Sequence, residues 1–181
     1  MKKTIILFAA VLMIAGFSTK AIAQTSATVT GTTAGAQLII PMAIGQDSPL
    51  HFGTINLVAG VGGTVVLSTV NAARSFTGGV VASAVTPLAT NAAYHVTGTK
   101  NESYALTLPA TITVTETVGN SASMVISDLK ARFLGAADDA VISTLSATGT
   151  DSFTVGGTLT VSPSQVGGIY AGAFNVTVDY N

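Results

Sequence analysis

Cysteine is absent from the chain, and so is tryptophan. The first absence excludes disulfides, thiolate metal sites, cysteine nucleophiles and lipid attachment at an N-terminal cysteine. The fold must then be held by its core, and 181 residues are enough to bury one. The second absence weighs against a sugar-cleaving pocket, which aromatic rings would line. Seven Phe and four Tyr are better read as core residues. Charge is scarce too, with only 8% of the residues charged. Without clustered Lys and Arg there is no footprint for a nucleic-acid backbone.

Residues that carry chemistry are few and scattered. His51 and His95 sit among apolar neighbours, and no His-x-x-x-His or Asp-x-Asp spacing accompanies them. Asp138-Asp139 is the only adjacent acidic pair, a weak calcium candidate that reads more simply as a solvated loop. Glu102 and Glu116 are the pair to weigh as glycosidase acids. No Gly-x-Ser-x-Gly elbow and no phosphate-cradling glycine loop followed by Lys is present. Asn101-Glu102-Ser103 and Asn175-Val176-Thr177 match the short glycosylation pattern. The expectation is a protein with no catalytic residues, no cofactor and no metal.

The first residues read as a secretory signal peptide. Lys2 and Lys3 precede an apolar run over residues 4–17, and Ala21-Ile22-Ala23 supplies a small-x-small cleavage site. The run is short for a spanning anchor. Cleavage leaves a single domain over residues 24–181 that begins at Gln24, with no membrane span. It removes Lys2, Lys3 and Lys20, leaving Arg74, Lys100, Lys130 and Arg132 against eight acidic residues. Export through the inner membrane places the mature chain in the periplasm, at the cell surface or outside the cell.

Thr and Val dominate what remains, and branched side chains suit a pleated surface. Nine or ten short strands are expected. Residues 27–32 alternate through Ala27, Val29 and Gly31; residues 37–44 are apolar but for Gln37 and Pro41; residues 49–55 carry Leu50 and Phe52. Further runs cover residues 64–69, 93–99, 103–108, 112–114 and 124–134, with a bulge or break near Asp128 where alternation fails. Phe153, Val155, Gly157, Leu159 and Val161 form a clean alternating strand. Paired glycines at positions 62–63, 78–79, 156–157 and 167–168 mark turns or bulges, and residues 136–142 suit one helical turn. Short strands at this spacing give an all-β antiparallel sandwich.

The last run is the most informative. From Gly168 on, Tyr170, Gly172, Phe174, Val176, Val178 and Tyr180 fall on one face, and Ala171, Ala173, Asn175, Thr177 and Asp179 on the other. The expectation is a full-length core strand at the end of the chain, with nothing after it to cover its outer edge. Such an edge must be paired, covered or blunted.

Three segments together resemble a bacterial family of secreted domains of unknown function, number 4402. They are Leu50-His51-Phe52-Gly53-Thr54-Ile55; Ala93-Tyr94-His95-Val96-Thr97-Gly98-Thr99 with Ser103-Tyr104-Ala105-Leu106-Thr107-Leu108-Pro109; and Phe153-Thr154-Val155-Gly156-Gly157-Thr158-Leu159-Thr160-Val161 leading to the terminal Val176-Thr177-Val178-Asp179-Tyr180-Asn181. The pattern is more distantly similar to spore coat protein U and the chaperone–usher pilin subunits. Those share an early Phe-Gly strand and a Thr- and Val-rich last strand with a penultimate Tyr, here Tyr180. That similarity implies an immunoglobulin-like sandwich lacking its final strand, completed first by a periplasmic chaperone and then, at an outer-membrane usher, by the N-terminal extension of the next subunit. The chain departs from many such pilins in having no cysteine.

On this reading the groove lies along Tyr170, Gly172, Phe174, Val176, Val178 and Tyr180. The donor is the extension over residues 24–33, with Ala27, Val29 and Gly31 directed inward, and the partners are copies of the chain or related subunits. Two placements fit residues 27–32: an extension lent to a neighbour, or the first strand of the domain's own sandwich. Two functions fit the whole: a fimbria-like structural or adhesive subunit, or a monomeric secreted module binding surface glycans or proteins.

Overall fold

The long strand β11 (Thr150–Val161) organises the sheet around it, and its sequence explains why. Phe153, Val155, Leu159 and Val161 are all buried, as one core face of a strand requires. Its twelve residues also let it take different neighbours along its length. The first half lies between β6 (Ala92–Thr97) and β9 (Ser123–Phe133), with Phe153 opposite both Tyr94 and Phe133. The second half lies between β9 and β3 (Gly63–Leu67), with Leu159 opposite Val65 and Ile126. At the handover a Cβ on Gly156 would collide with the Leu67 carbonyl oxygen and the Ser68 backbone. Only glycine allows that approach.

This is a computed structural model that describes residues 28–119 and 121–181. All strand pairings within it are antiparallel. The large sheet adds β1 (Ala43–Ser48) beside β6, β8 (Thr111–Glu116) beside β9, β12 (Tyr170–Ala171) beside β8, and β4 (Arg74–Gly78) beside β3. A second sheet runs in the order β10 (Ile142–Thr144), β7 (Ser103–Thr107), β13 (Thr177–Tyr180). A small pair joins β2 (Ile55–Leu57) to β5 (Val80–Ala82). There is no helix among the described residues. The architecture is an all-β antiparallel sandwich.

The core has an aromatic end and an aliphatic end. Tyr94 stacks on Phe153 with ring centroids 5.2 Å apart, Phe133 meets Phe153 at 5.5 Å, and Tyr104 meets Phe133 edge-on at 5.8 Å. Each such pair adds about 0.5–1.5 kcal/mol beyond the area it buries. Tyr104 is fully buried, yet its hydroxyl donates to Asp151 Oδ2 at 2.9 Å, an oxygen that Ser143 Oγ also reaches at 2.6 Å. Burial first, then the hydrogen bond and charge of Asp151, raise the Tyr104 phenol well above its usual range, with Ser143 opposing. The aliphatic end gathers Val65, Leu67, Val80, Ile112, Ile126, Leu159 and Val161 around Phe52. Leu50, Leu129 and Phe174 pack against both ends.

One expectation is met in detail. Asp128 has φ +51°, and Asp128 and Leu129 together face Gly157 where the β9–β11 register shifts, which is a bulge where alternation broke. Others are corrected. Residues 28–32 form no strand and are exposed; Ala27 and the signal segment over residues 1–23 lie outside the described residues. The strand expected over residues 37–44 begins only at Ala43. Leu38, Ile39 and Ile40 are exposed, Pro41 has no N–H to give a ladder, and Ile40 N–H goes instead to Thr99 Oγ1 at 2.6 Å. Residues 136–141 are loop rather than a helical turn. The terminal run is two short strands in different sheets, separated by residues 172–176, which join no ladder.

Replacing Phe153 with Ala removes the ring shared by two aromatic contacts. It should cost about 3–5 kcal/mol, the usual range for a buried Phe→Ala. The change should show in urea titration as a lowered midpoint with an unchanged slope. A loss below about 1 kcal/mol would mean the aromatic end is not the centre of the core.

Candidate functional site

The terminal run crosses from one sheet to the other, and a groove opens beside the crossing. β12 pairs with β8, placing Tyr170 opposite Glu116, while β13 pairs with β7, placing Val178 opposite Leu106. Gly172 makes the crossing possible: a Cβ there would strike the Thr113 carbonyl oxygen and crowd Val114. From Phe174 on, burial still alternates, with Phe174, Val176, Val178 and Tyr180 half-buried and Ala173, Asn175, Thr177 and Asp179 exposed.

Across from this run lies β1, whose only strand partner among the described residues is β6, so that its other edge pairs with none of their strands. Between the two is a groove of about 640 Å³. One rim carries Ile44, Gln46, Pro49 and Leu50, the other is residues 172–177, and Tyr94 reaches in from β6.

The proposed acceptor residues divide. Gly172, Phe174 and Val176 line the groove. Val178 packs into the aromatic end of the core. Tyr180 lies beyond the groove, its hydroxyl donating to the Ile40 carbonyl at 2.7 Å and accepting from Thr99 N–H at 2.6 Å. Tyr170 is not at the groove: its hydroxyl donates to the Val166 carbonyl at 2.6 Å and accepts from Gln165 Nε2 at 2.8 Å. Of the donor residues, Val29 is 84% exposed and Gly31 has φ +83°. Ile44, Gln46 and Leu50 were not anticipated as rim residues. The Ile44 and Leu50 side chains carry an apolar signal, whereas nothing in the sequence marks Gln46.

The polar residues weighed for chemistry have structural partners. His51 Nδ1 accepts from Gly53 N–H at 2.8 Å, closing a turn. His95 Nδ1 lies 2.7 Å from Asp47 Oδ1 on the exposed side of β1 and β6. Asn101 has φ +60° in the turn before β7, a conformation Asn tolerates. Glu102 belongs to that same turn, while Glu116 ends β8 in the other sheet. No group of three or more His, Asp or Glu is found among the described residues. No helix among the described residues is long and apolar enough to cross a membrane.

Asp139 pins the loop before β10. Its Oδ1 accepts from Thr69 Oγ1 at 2.7 Å and from Arg132 Nε at 2.9 Å. Burial pushes its carboxyl up, but the hydrogen bonds from Thr69 and Arg132 and the charges of Arg132 and Lys130 outweigh that and hold it below its ordinary 3.8. A carboxyl depressed in the folded state contributes stability that is complete above its unfolded value and lost as pH falls through the folded one. Asp139→Asn should therefore flatten the acid limb of the stability profile below pH 3.8, measured by denaturant titration across pH. An unchanged acid limb would remove Asp139 from that role.

No curated relative matches the chain. Residues 42–180 match a family described as Domain of unknown function (DUF4402), a span that takes in both rims of the groove and the whole sandwich, and the chain belongs to that family.

Proposed function

We propose that this protein is an exported, non-enzymatic structural or adhesive component of the bacterial surface, a fimbria-like subunit that polymerises by strand donation. The observation that carries the reading is the groove between residues 172–177 and the edge of β1 that pairs with no strand among the described residues. An extended segment laid there would pair with unpartnered main chain on either side, which gives affinity, while alternate side chains enter the groove, which gives specificity. Each main-chain bond so made is worth roughly 0.5–1.5 kcal/mol net.

The occupant is the extension of another copy. Residues 28–41 are exposed throughout, so the segment is available to a neighbour. The alternating run over residues 27–32 matches the six positions of the second rim, residues 172–177, in length. Its inward residues Ala27, Val29 and Gly31 are small, which suits shallow pockets. The same edge exposed on a lone subunit invites wrong pairing. A periplasmic chaperone covering it before assembly, and an outer-membrane usher presenting the next subunit, answer that hazard. The basic, apolar and small-x-small order of residues 2–23 supports export as the route.

Native material released from the cell surface should run as a ladder on denaturing gels and collapse to one band only on boiling. Deleting residues 24–33 should abolish the ladder and leave a folded monomer. A single monomer band with and without boiling in the unaltered protein would overturn the polymer reading in favour of a self-contained binding module.

A further inference from the structure

The two ends of the sandwich carry different loops. Val161, which ends β11, faces Gly63 at the start of β3, and Gly63 faces Gly78 at the end of β4. β8 finishes on the same side at Glu116. Residues 58–62, 78–79, 117–119 and 162–169 therefore gather at this end, and none of them is charged. At the other end Thr97 faces both Ala43 and Thr150, and the turn after it carries Lys100 and Glu102. Five aliphatic side chains stand exposed on the uncharged end: Val58, Val61, Val118, Val166 and Ile169. Val118 is 78% exposed and Ile169 70%. Single exposed aliphatics are ordinary, whereas several together on one uncharged surface mark a contact.

Hydrogen bonds hold these loops side by side. Thr117 N–H donates to the Ile169 carbonyl at 2.9 Å, and Val118 N–H to Glu116 Oε1 at 3.0 Å, so the charge closest to the tips is engaged in shaping them. Val58 N–H donates to the Gly79 carbonyl at 2.7 Å. A Cβ on Gly62 would strike Pro163, so the loop before β3 touches the loop after β11. At Gly60, Gly119 and Gly167, by contrast, a Cβ would meet nothing within 4 Å, so the tips project. Neither the groove beside β1 nor the cleft lined by Leu106, Pro109 and Leu129 takes in a residue of these loops.

We infer that this end of the sandwich docks on a lipid surface, setting Val118 and Ile169, with Val58, Val61 and Val166 around them, into the interface of an uncharged, zwitterionic bilayer. Projecting aliphatic tips gain by leaving water, and a bilayer accepts them without a matching recess. The centre of a protein–protein contact draws on aromatic, Met and Arg side chains, and these segments have none. They also lack the Lys and Arg that attract anionic lipid. From Gln24 on, acidic residues outnumber basic ones, so an anionic bilayer repels the chain and charge selects a neutral one. The inference does not rest on strand donation, since the segment before β1 joins the sandwich at the opposite end, where Ala43 faces Thr97.

The test is flotation of the mature protein, beginning at Gln24, with vesicles of phosphatidylcholine alone or of phosphatidylcholine mixed with phosphatidylglycerol. The protein should float with the first and less with the second. Val118→Asp combined with Ile169→Asp should lower partition into phosphatidylcholine vesicles about tenfold or more. Leu134→Asp changes a side chain 82% exposed at the far end, next to the Phe133–Phe153 pair, and should leave partition unchanged. All three side chains are exposed, so the urea midpoint should stay that of the unaltered protein. Failure of the unaltered protein to float with phosphatidylcholine, stronger binding to the anionic vesicles, or undiminished binding by the double variant would each overturn the inference. So would an equal loss on Leu134→Asp. A concentration-dependent dimer that the double variant abolishes, without lipid binding, would overturn it in favour of a contact between copies.

Discussion

A strand edge with no neighbour is the constraint on which the rest of this structure turns. Main-chain N–H and carbonyl groups need partners, and a sheet edge presents a row of them. Most edges here are dealt with locally. β10 and β2 are three residues each, and β12 is only two, so little edge is left over. Among the longer edges of the described residues are the two rims formed by β1 and residues 172–177, which face each other across a groove lined by apolar and polar residues. One more strand would satisfy both at once. On the proposed reading, this slot is where a segment of another copy adds.

The slot exists because the last run has two duties. Phe174 packs against both the aromatic and the aliphatic ends of the core, so this side chain must enter the sandwich at its middle. The backbone at the same place is passing from the large sheet to the second one, and Gly172 is the residue thin enough to let it pass Thr113 and Val114. A chain crossing between sheets cannot keep a ladder through the crossing. The core contact and the missing ladder are thus two results of one path, and the groove is where they coincide.

Much of the sandwich was legible in the sequence, for reasons particular residues make plain. Phe153, Val155, Leu159 and Val161 alternate because one face of β11 meets the core, and Tyr94 and Val96 do the same on β6. Asp128 announced its bulge by breaking that rhythm. The rhythm says nothing about who pairs with whom. Residues 174–180 keep their alternation of burial after the chain has changed sheets, so the split between β12 and β13 was invisible. Leu38, Ile39 and Ile40 look like a core strand yet lie exposed, because Pro41 and the side-chain bonds to Ile40 take the place of a ladder. β4 was missed since its Arg74-Ser75-Phe76-Thr77-Gly78 offers one large apolar residue and no alternation to read. The tie from Tyr180 to Ile40 spans 140 residues, and no local pattern encodes it.

Amide hydrogen exchange on assembled and dissociated material tests the central claim most directly. If a strand from a second copy lies in the groove, the amides of residues 172–176 and of residues 28–32 should exchange quickly in the dissociated subunit and become protected together in the assembly. The β11 amides should be slow in both. Protection confined to other surfaces, with residues 172–176 exchanging equally fast in both states, would show that subunits meet elsewhere and that the groove is not where they join.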